Sequence, residues 1–145
     1  MSYLVDTNIL LRSAQPSHPM HADTVRAVSE LLARGEILPI IPQNIIEYWA
    51  VATRPIEANG LGMTIDETAA EVTGLQSIFQ ILPDNAEIFS EWKRLVSKNE
   101  VKGKEVHDAR IVAAMMAHRV THLLTFNTAD FKRYTEITAI NPQEV

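Results

Sequence analysis

The sequence predicts an α/β fold with a mainly parallel central sheet that helices cover on both faces. Short apolar runs of strand length alternate with longer segments of helical periodicity along the 145 residues. This alternation requires crossover connections, which bring parallel strands side by side. With 46% apolar and 21% charged residues, the chain has a globular composition and can bury a core. No repeat or linker interrupts it, so we expect a single domain over residues 1–145.

The first predicted strand, Tyr3–Val5, ends directly at Asp6. A short helix over Thr7–Arg12 follows, so Asp6 lies where a strand turns into a helix. The carboxyl ends of strands form the edge at which open α/β sheets bind ligands. Asp is also a favoured helix N-cap. Both roles of Asp6 therefore stay open at this point.

The next elements are assigned from apolar spacing and from residues that start or stop helices. A helix over about 21–34 stops at Gly35 and carries one apolar stripe, formed by Val25, Val28, Leu31 and Leu32. The segment Glu36–Ile41 predicts a second buried strand, which Pro39 makes an edge strand or a shortened one.

Pro42 is suited to open a helix that runs over Gln43–Thr53. Its apolar face is formed by Ile45, Ile46, Trp49 and Ala52. Glu47 points away from the centre of this stripe. The loop Arg54–Met63 contains Pro55 and two glycines and is the best candidate for a flexible flap.

The second half of the chain continues the alternation. Thr64 and Glu67 form a capping-box pattern, which predicts a helix to about Ile81. Another helix, over about 83–99, presents an inner face of Ile88, Phe89, Trp92 and Val96. The remaining elements are a charged loop over 100–105, a helix over 106–119, a strand over 122–125, a turn or short helix over 127–131 and a strand over 137–140.

Composition and charge narrow the possible function classes. The chain has no cysteine, which removes disulfides and thiolate metal sites and fits a cytoplasmic location. We find neither a signal-peptide pattern nor 18 consecutive apolar residues, so no membrane partner is expected. The net charge of -5 argues against broad non-specific binding of nucleic acid. A local basic stretch lies between Lys93 and Arg110, which holds six of the thirteen Lys and Arg residues.

Five acidic or amide side chains stand out, four of them near a predicted strand end or helix start and Glu47 within a helix: Asp6, Glu47, Asp108, Asn127 and Asp130. Asp108 is the most informative by position, because Ile111, Val112 and Met115 follow at helical spacing. Asp108 therefore lies at the top of the apolar face of its helix. The helix dipole favours an Asp in the first turn but does not explain this orientation.

A cluster of three such carboxylates is costly unless something compensates it. If Asp6, Asp108 and a third carboxylate lie about 5 Å apart, each pair repels by roughly 3 kcal/mol at an effective dielectric constant near 20. Only a bound cation or strongly raised pKa values make this tolerable. Oxygen ligands without cysteine favour Mg²⁺ or Mn²⁺. Neighbouring polar side chains can hold the waters of such an ion: Thr7, Asn8, Thr125 and Asn127.

Four segments together resemble a known family. They are Leu4–Asn8, the helical Glu47, His107–Arg110 and Thr125–Phe131. In this order and on these alternating elements, they resemble the PIN domain, and more narrowly a VapC-type toxin ribonuclease. The resemblance spans nearly the whole chain.

The resemblance implies a PIN-like three-layer α/β/α sandwich and a divalent-metal-dependent endoribonuclease. It also implies a homodimer and a VapB-like antitoxin that inhibits the enzyme. The residues matching the family's acidic catalytic positions are Asp6, Glu47, Asp108 and Asp130, of which the three aspartates are the expected metal ligands. Asn127 has an amide where family members often carry Asp or Asn, which leaves Asp130 as the fourth carboxylate. Four basic residues lie near Asp6 or Asp108 in the sequence, and we therefore expect them to contact the RNA backbone: Arg12, Lys102, Lys104 and Arg110.

The sequence lacks the hallmark residues of two other families. A phosphotransferase of the haloacid dehalogenase type needs a second Asp two residues after the first, where Asn8 stands. A receiver-type signalling domain needs adjacent acidic residues after the first strand. Two alternatives stay open: an inactive PIN-like module that binds RNA or protein, and a PIN nuclease that processes RNA rather than acting as a toxin. An inactive module would have lost a carboxylate, whereas this chain keeps all four.

Overall fold

The computed structural model describes residues 1–145. Its strands are β1 (Tyr3–Val5), β2 (His122–Leu124) and β3 (Thr138–Ile140). Its helices are α1 (Thr7–Ser13), α2 (His21–Ala33), α3 (Pro42–Thr53), α4 (Ile65–Ile78), α5 (Ala86–Lys98) and α6 (Val106–Ala117). No helix has the length and apolar character needed to cross a membrane.

The three strands form one sheet in the order β1-β2-β3, and both pairs are parallel, which confirms the predicted parallel sheet. Successive strand residues point to opposite faces, so each face has its own core. Leu4 and Leu123 pack with α5 and α6 on one face, whereas Val5 and Leu124 pack with α1 to α4 on the other. The predicted three-layer α/β/α arrangement is therefore confirmed.

The segment predicted as a second strand, Glu36–Ile41, is extended but forms only isolated bridges. Ile37 bridges to Ser2, and Ile40 bridges to Ile81. The Tyr3 N–H donates to the Ile37 carbonyl at 2.9 Å, so this segment continues the sheet beside β1. Pro39 lacks an N–H and cannot continue a ladder, which explains the shortening.

The buried faces of three helices differ from the predicted ones. On α2, Val25 and Leu32 are exposed, and the buried residues are Thr24, Ala27 and Leu31. On α5, Phe89 is 65% exposed, and Leu95 is buried in the core. Leu31 and Ile88 are buried as predicted, and Val28, Trp92 and Val96 pack against the core, so apolar spacing gave the correct helices and most of each face.

Helix α3 departs furthest from its predicted face, because polar residues occupy buried positions. Ile46 is 67% exposed, whereas Gln43, Asn44, Tyr48 and Ala52 are buried. The two amide side chains satisfy their donors and acceptors inside the protein, which removes the usual cost of burying them. This rotation of α3 turns Glu47 toward the end of β1.

The loop Arg54–Met63 folds back onto the end of α3. The Leu61 and Met63 N–H groups donate to the carbonyls of Val51 and Ala52 at 3.0 and 2.8 Å. A side chain at Gly60 would collide with the Arg54 carbonyl, because a Cβ there would lie 2.0 Å from its oxygen. The segment expected as a flap is thus a hydrogen-bonded loop.

Candidate active site

Asp6 lies at the carboxyl end of β1 and is both a helix cap and a member of a polar cluster. Its Oδ1 accepts from the Thr7 N–H at 2.8 Å, which caps α1. Its Oδ2 accepts from Thr125 Oγ1 at 2.7 Å, across the sheet from β1 to the end of β2. The residue is only 7% exposed. Burial raises the pKa of Asp6 from 3.8 to about 6, although the hydrogen bonds from Thr125 and Thr7 oppose the rise.

Thr125 and Asn8 hold Asp6 in place. Asn8 Nδ2 donates to Thr125 Oγ1 at 3.2 Å and to Asp6 Oδ2 at 3.4 Å. The Phe126 N–H donates in turn to Asn8 Oδ1 at 3.3 Å. Asn127 takes part through its backbone N–H, which donates to Thr125 Oγ1 at 3.0 Å, while its side chain is exposed. These bonds join the ends of β1 and β2.

Glu47 reaches the same edge from α3. Thr7 Oγ1 donates to Glu47 Oε1 at 2.7 Å and accepts from Asn44 Nδ2 at 3.2 Å. The negative charge of Glu47 is one of the causes that raise the pKa of Asp6. The structure therefore brings Glu47 to the predicted site, although the rest of its helix face was predicted incorrectly.

Asp108 occupies the first turn of α6 and is half-buried, above the buried Ile111, Val112 and Met115. Burial is the main cause that raises its pKa from 3.8 to about 6, and the charge of Asp130 is the next. Asp130 itself is exposed, on the short 3₁₀ turn Thr128–Phe131. The charges of Glu47 and Asp108 raise the pKa of Asp6, and those of Asp130 and Glu47 raise the pKa of Asp108. We call these four carboxylates the acidic region.

None of these four carboxylates takes part in an ion pair. All seven ion pairs of the chain involve other acidic groups. No set of three or more acidic or histidine side chains is gathered closely enough to enclose an ion by itself. Mg²⁺ commonly binds through one or two carboxylates and keeps several waters. The uncompensated charge and the all-oxygen donors therefore fit a hydrated hard cation held by Asp6 and Asp108, and not a closed protein cage.

The predicted RNA-binding cations are distributed unevenly around this region. Arg110 lies beside it on α6 and donates to Gln43 Oε1 at 3.2 Å and Asp84 Oδ1 at 3.3 Å. Lys102 and Lys104 are exposed just before α6 and form no ion pair. Arg12 donates to Gln15 at 2.7 Å and takes no part in the polar cluster around Asp6. The contact of Arg12 with RNA stays a prediction.

Gln43 and Asn44 belong to the site although the sequence analysis did not single them out. Gln43 Nε2 donates to Glu47 Oε2 at 3.3 Å and to the His107 carbonyl at 2.9 Å. It also lines a groove of about 580 Å³ beside Glu47, together with Ile46, Ala50, Arg54, Asp84, His107 and Arg110. The spacing of Gln43 and Glu47, one helical turn apart, was the signal that could have revealed the first of these contacts.

Comparison with known proteins agrees with this arrangement. The family model described as "PIN domain" matches residues 3–137. No curated protein sequence matches the chain.

Three solved structures illustrate the likeness. VapBC2 from Rickettsia felis, bound to a DNA fragment from its promoter, is 20% identical with a TM-score of 0.72, and the match covers 97% of this chain and 98% of that one. VapBC-1 from nontypeable Haemophilus influenzae is 16% identical with a TM-score of 0.74, covering 99% of both chains. VapC20 from Mycobacterium tuberculosis, a toxin that cleaves the sarcin-ricin loop, is 16% identical with a TM-score of 0.67, covering 94% of this chain and 98% of that one. At these identities the likeness shows a shared fold.

Proposed function

The chain belongs to the PIN domain family, and on this basis we propose that it is a divalent-metal-dependent endoribonuclease that acts as the toxin of a toxin–antitoxin pair. The observation that carries the proposal is the acidic region at the carboxyl edge of the sheet. Asp6 is buried there without a cationic partner, and its pKa is raised to about 6. The charge of Asp6 destabilises the folded protein, so its presence indicates a function for the charge. A bound cation is the simplest compensation.

The proposed roles follow from where each carboxylate lies. Asp6 and Asp108 would hold the cation, and Glu47 and Asp130 would complete the site directly or through water. A divalent cation bound there would lower the pKa of a water and neutralise charge developing on the phosphate oxygens.

The remaining polar contacts keep the carboxylates oriented. Thr125 and Asn8 fix the Oδ2 side of Asp6 by hydrogen bonds of 2.7 and 3.4 Å. Thr7 fixes Glu47 from the first residue of α1. Because these donors are neutral, they orient the acidic groups without cancelling the charge that a cation requires.

The partners are inferred from the similar structures. Two of the three similar structures are of VapBC proteins, and the third is of a toxin that cleaves the sarcin-ricin loop. For this chain we propose RNA as the substrate, a VapB-like antitoxin as the inhibitor, a homodimer as the assembly and the cytoplasm as the location. Binding of RNA by Arg110, Lys102 and Lys104 belongs to the same proposal.

The test is cleavage of a mixed RNA pool by the native protein, freed of any bound inhibitor, with Mg²⁺ or Mn²⁺ and with EDTA. Cleavage that requires the metal and leaves 5′-phosphate ends would support the proposal, as would its loss in a folded Asp6→Asn variant. A native protein that binds RNA tightly but leaves a pool of total cellular RNA intact would instead favour the binding module.

A further inference from the structure

Gln43 makes three side-chain hydrogen bonds although only 8% of the residue is exposed. Its Nε2 donates to Glu47 Oε2 at 3.3 Å and to the His107 carbonyl at 2.9 Å. Its Oε1 accepts from Arg110 Nη1 at 3.2 Å. One amide therefore connects the carboxylate on α3, the first turn of α6 and the guanidinium on α6.

The chemistry of the partners fixes the orientation of this amide. The carboxylate of Glu47 and the carbonyl of His107 can only accept, and the guanidinium of Arg110 can only donate. Turning the amide over would set oxygen against two acceptors and nitrogen against a donor. Gln43 is thus locked in one orientation by three independent contacts.

This placement inserts a neutral amide between two opposite charges. Glu47 and Arg110 both bind Gln43, yet they form no ion pair with each other. Arg110 pairs instead with Asp84 at 3.3 Å, on the groove that Glu47 also lines. A side chain without the amide would release both groups, and the guanidinium could then reach the carboxylate.

We propose that Gln43 is a positioning residue that keeps Glu47 and Arg110 from pairing, so that Glu47 stays available to the cation and Arg110 to the RNA. This inference rests on the proposed nuclease function for its consequence. Its structural part, the separation of the two charges, stands independently of that function.

The decisive variant is Gln43→Met, which keeps the length and helix propensity of the side chain but has no amide. Gln76→Met, at an exposed position on α4, is the matched control. We expect Gln43→Met to bind Mn²⁺ about 10- to 100-fold more weakly in calorimetry and to lower kcat by a similar factor. The control should match the native protein in both. Thermal unfolding of each variant separates these effects from a loss of folding.

Rescue distinguishes positioning from a general structural role. Adding Arg110→Gln to Gln43→Met removes the cation that would capture Glu47, so Mn²⁺ affinity should recover most of its loss. A crystal structure of Gln43→Met should show Arg110 within 4 Å of Glu47. If the two side chains stay apart there, or if Arg110→Gln restores no Mn²⁺ affinity, the inference is overturned. Failure of the native protein to cleave RNA would refute the proposed function alone, because the Arg110–Glu47 distance in the variant would still decide the role of Gln43.

Discussion

Replacement of Asp6 by Asn should stabilise the metal-free protein at neutral and alkaline pH. Asn has nearly the same shape and still presents one carbonyl oxygen to the Thr7 N–H, so α1 keeps a cap. The change removes a negative charge from a position that is only 7% exposed. It also removes one of the causes of repulsion in the acidic region.

The size of the effect follows from the raised pKa of Asp6. The pKa rises from 3.8 to about 6 on folding, and each pKa unit corresponds to about 1.4 kcal/mol. The charged carboxylate therefore costs the native state about 3 kcal/mol. Asn gives up an acceptor for Thr125 and Asn8, which costs about 1 kcal/mol or more. We expect a net gain of about 1 to 2 kcal/mol, or roughly 3 to 8 °C in Tm.

The pH dependence gives the sign of the effect. Below pH 3.8 the Asp6 carboxyl is protonated in both states, so it adds no penalty. As the pH rises from about 4 to 6, the unfolded chain releases its proton first, and the native protein loses stability. Above about pH 6 the loss is complete. The Tm advantage of Asp6→Asn should therefore be absent near pH 4 and fully developed by pH 7.

Thermal unfolding in EDTA from pH 4 to 8 measures this difference, and repeating it with Mn²⁺ should stabilise only the native protein. An Asp6 that served solely as a helix cap would behave in the opposite way. Its charge would favour folding at the helix N-terminus, and Asp6→Asn would lose stability as the pH rises. That result would mean that the burial of Asp6 does not reflect a cation site.

Three further outcomes are expected. Thr125→Val removes a hydrogen bond that lowers the pKa of Asp6 in the folded protein. The pH-dependent loss of stability should therefore extend to higher pH, and RNA cleavage should fall about 10- to 100-fold. An unchanged upper end of the pH window would remove Thr125 from the site. Replacing Lys102 and Lys104 together by Gln should reduce the slope of log affinity for RNA against log salt by about 0.7 per lost phosphate contact, and an unchanged slope would retire both contacts. Tyr48→Phe removes a buried hydroxyl that has no hydrogen-bond partner. The free energy of unfolding in urea should therefore stay the same or rise by up to about 1 to 3 kcal/mol. A clear decrease would mean that the hydroxyl is hydrogen-bonded.

The site residues that the sequence predicted best are those at the end of a strand or the start of a helix. Asp6 follows an apolar run that is too short for a helix, and Asp108 precedes a clear apolar spacing. Both positions depend only on local periodicity, and in a parallel sheet all strands carry their carboxyl ends to one edge. The structure places both residues there.

The orientation of α3 could not be predicted in the same way. Apolar spacing selected Ile46 for the core, yet Asn44 is fully buried and Ile46 faces outward. Asn44 is buried because it caps its own helix through the Ile41 N–H and binds Thr7, a contact across 37 residues. Long-range partners of this kind leave no periodic trace in a sequence.

The contacts of the basic side chains could not be predicted for the same reason. Arg12 was chosen because it lies near Asp6 in sequence, but it turns toward Gln15. Arg110 was chosen because it lies near Asp108, and it does border the site, held by a residue from another helix. Adjacency in sequence does not fix where a long, flexible side chain will bind.

We propose that the acidic region binds a divalent cation with which the protein cuts RNA. The most direct test of this proposal is the rate of RNA cleavage against Mn²⁺ concentration for the native protein, for Asp108→Asn and for Asp66→Asn, an exposed position on α4. We predict saturable, metal-dependent cleavage by the native protein and by Asp66→Asn, and none by a folded Asp108→Asn. Equal cleavage by all three proteins, or cleavage that persists in EDTA, would contradict the account.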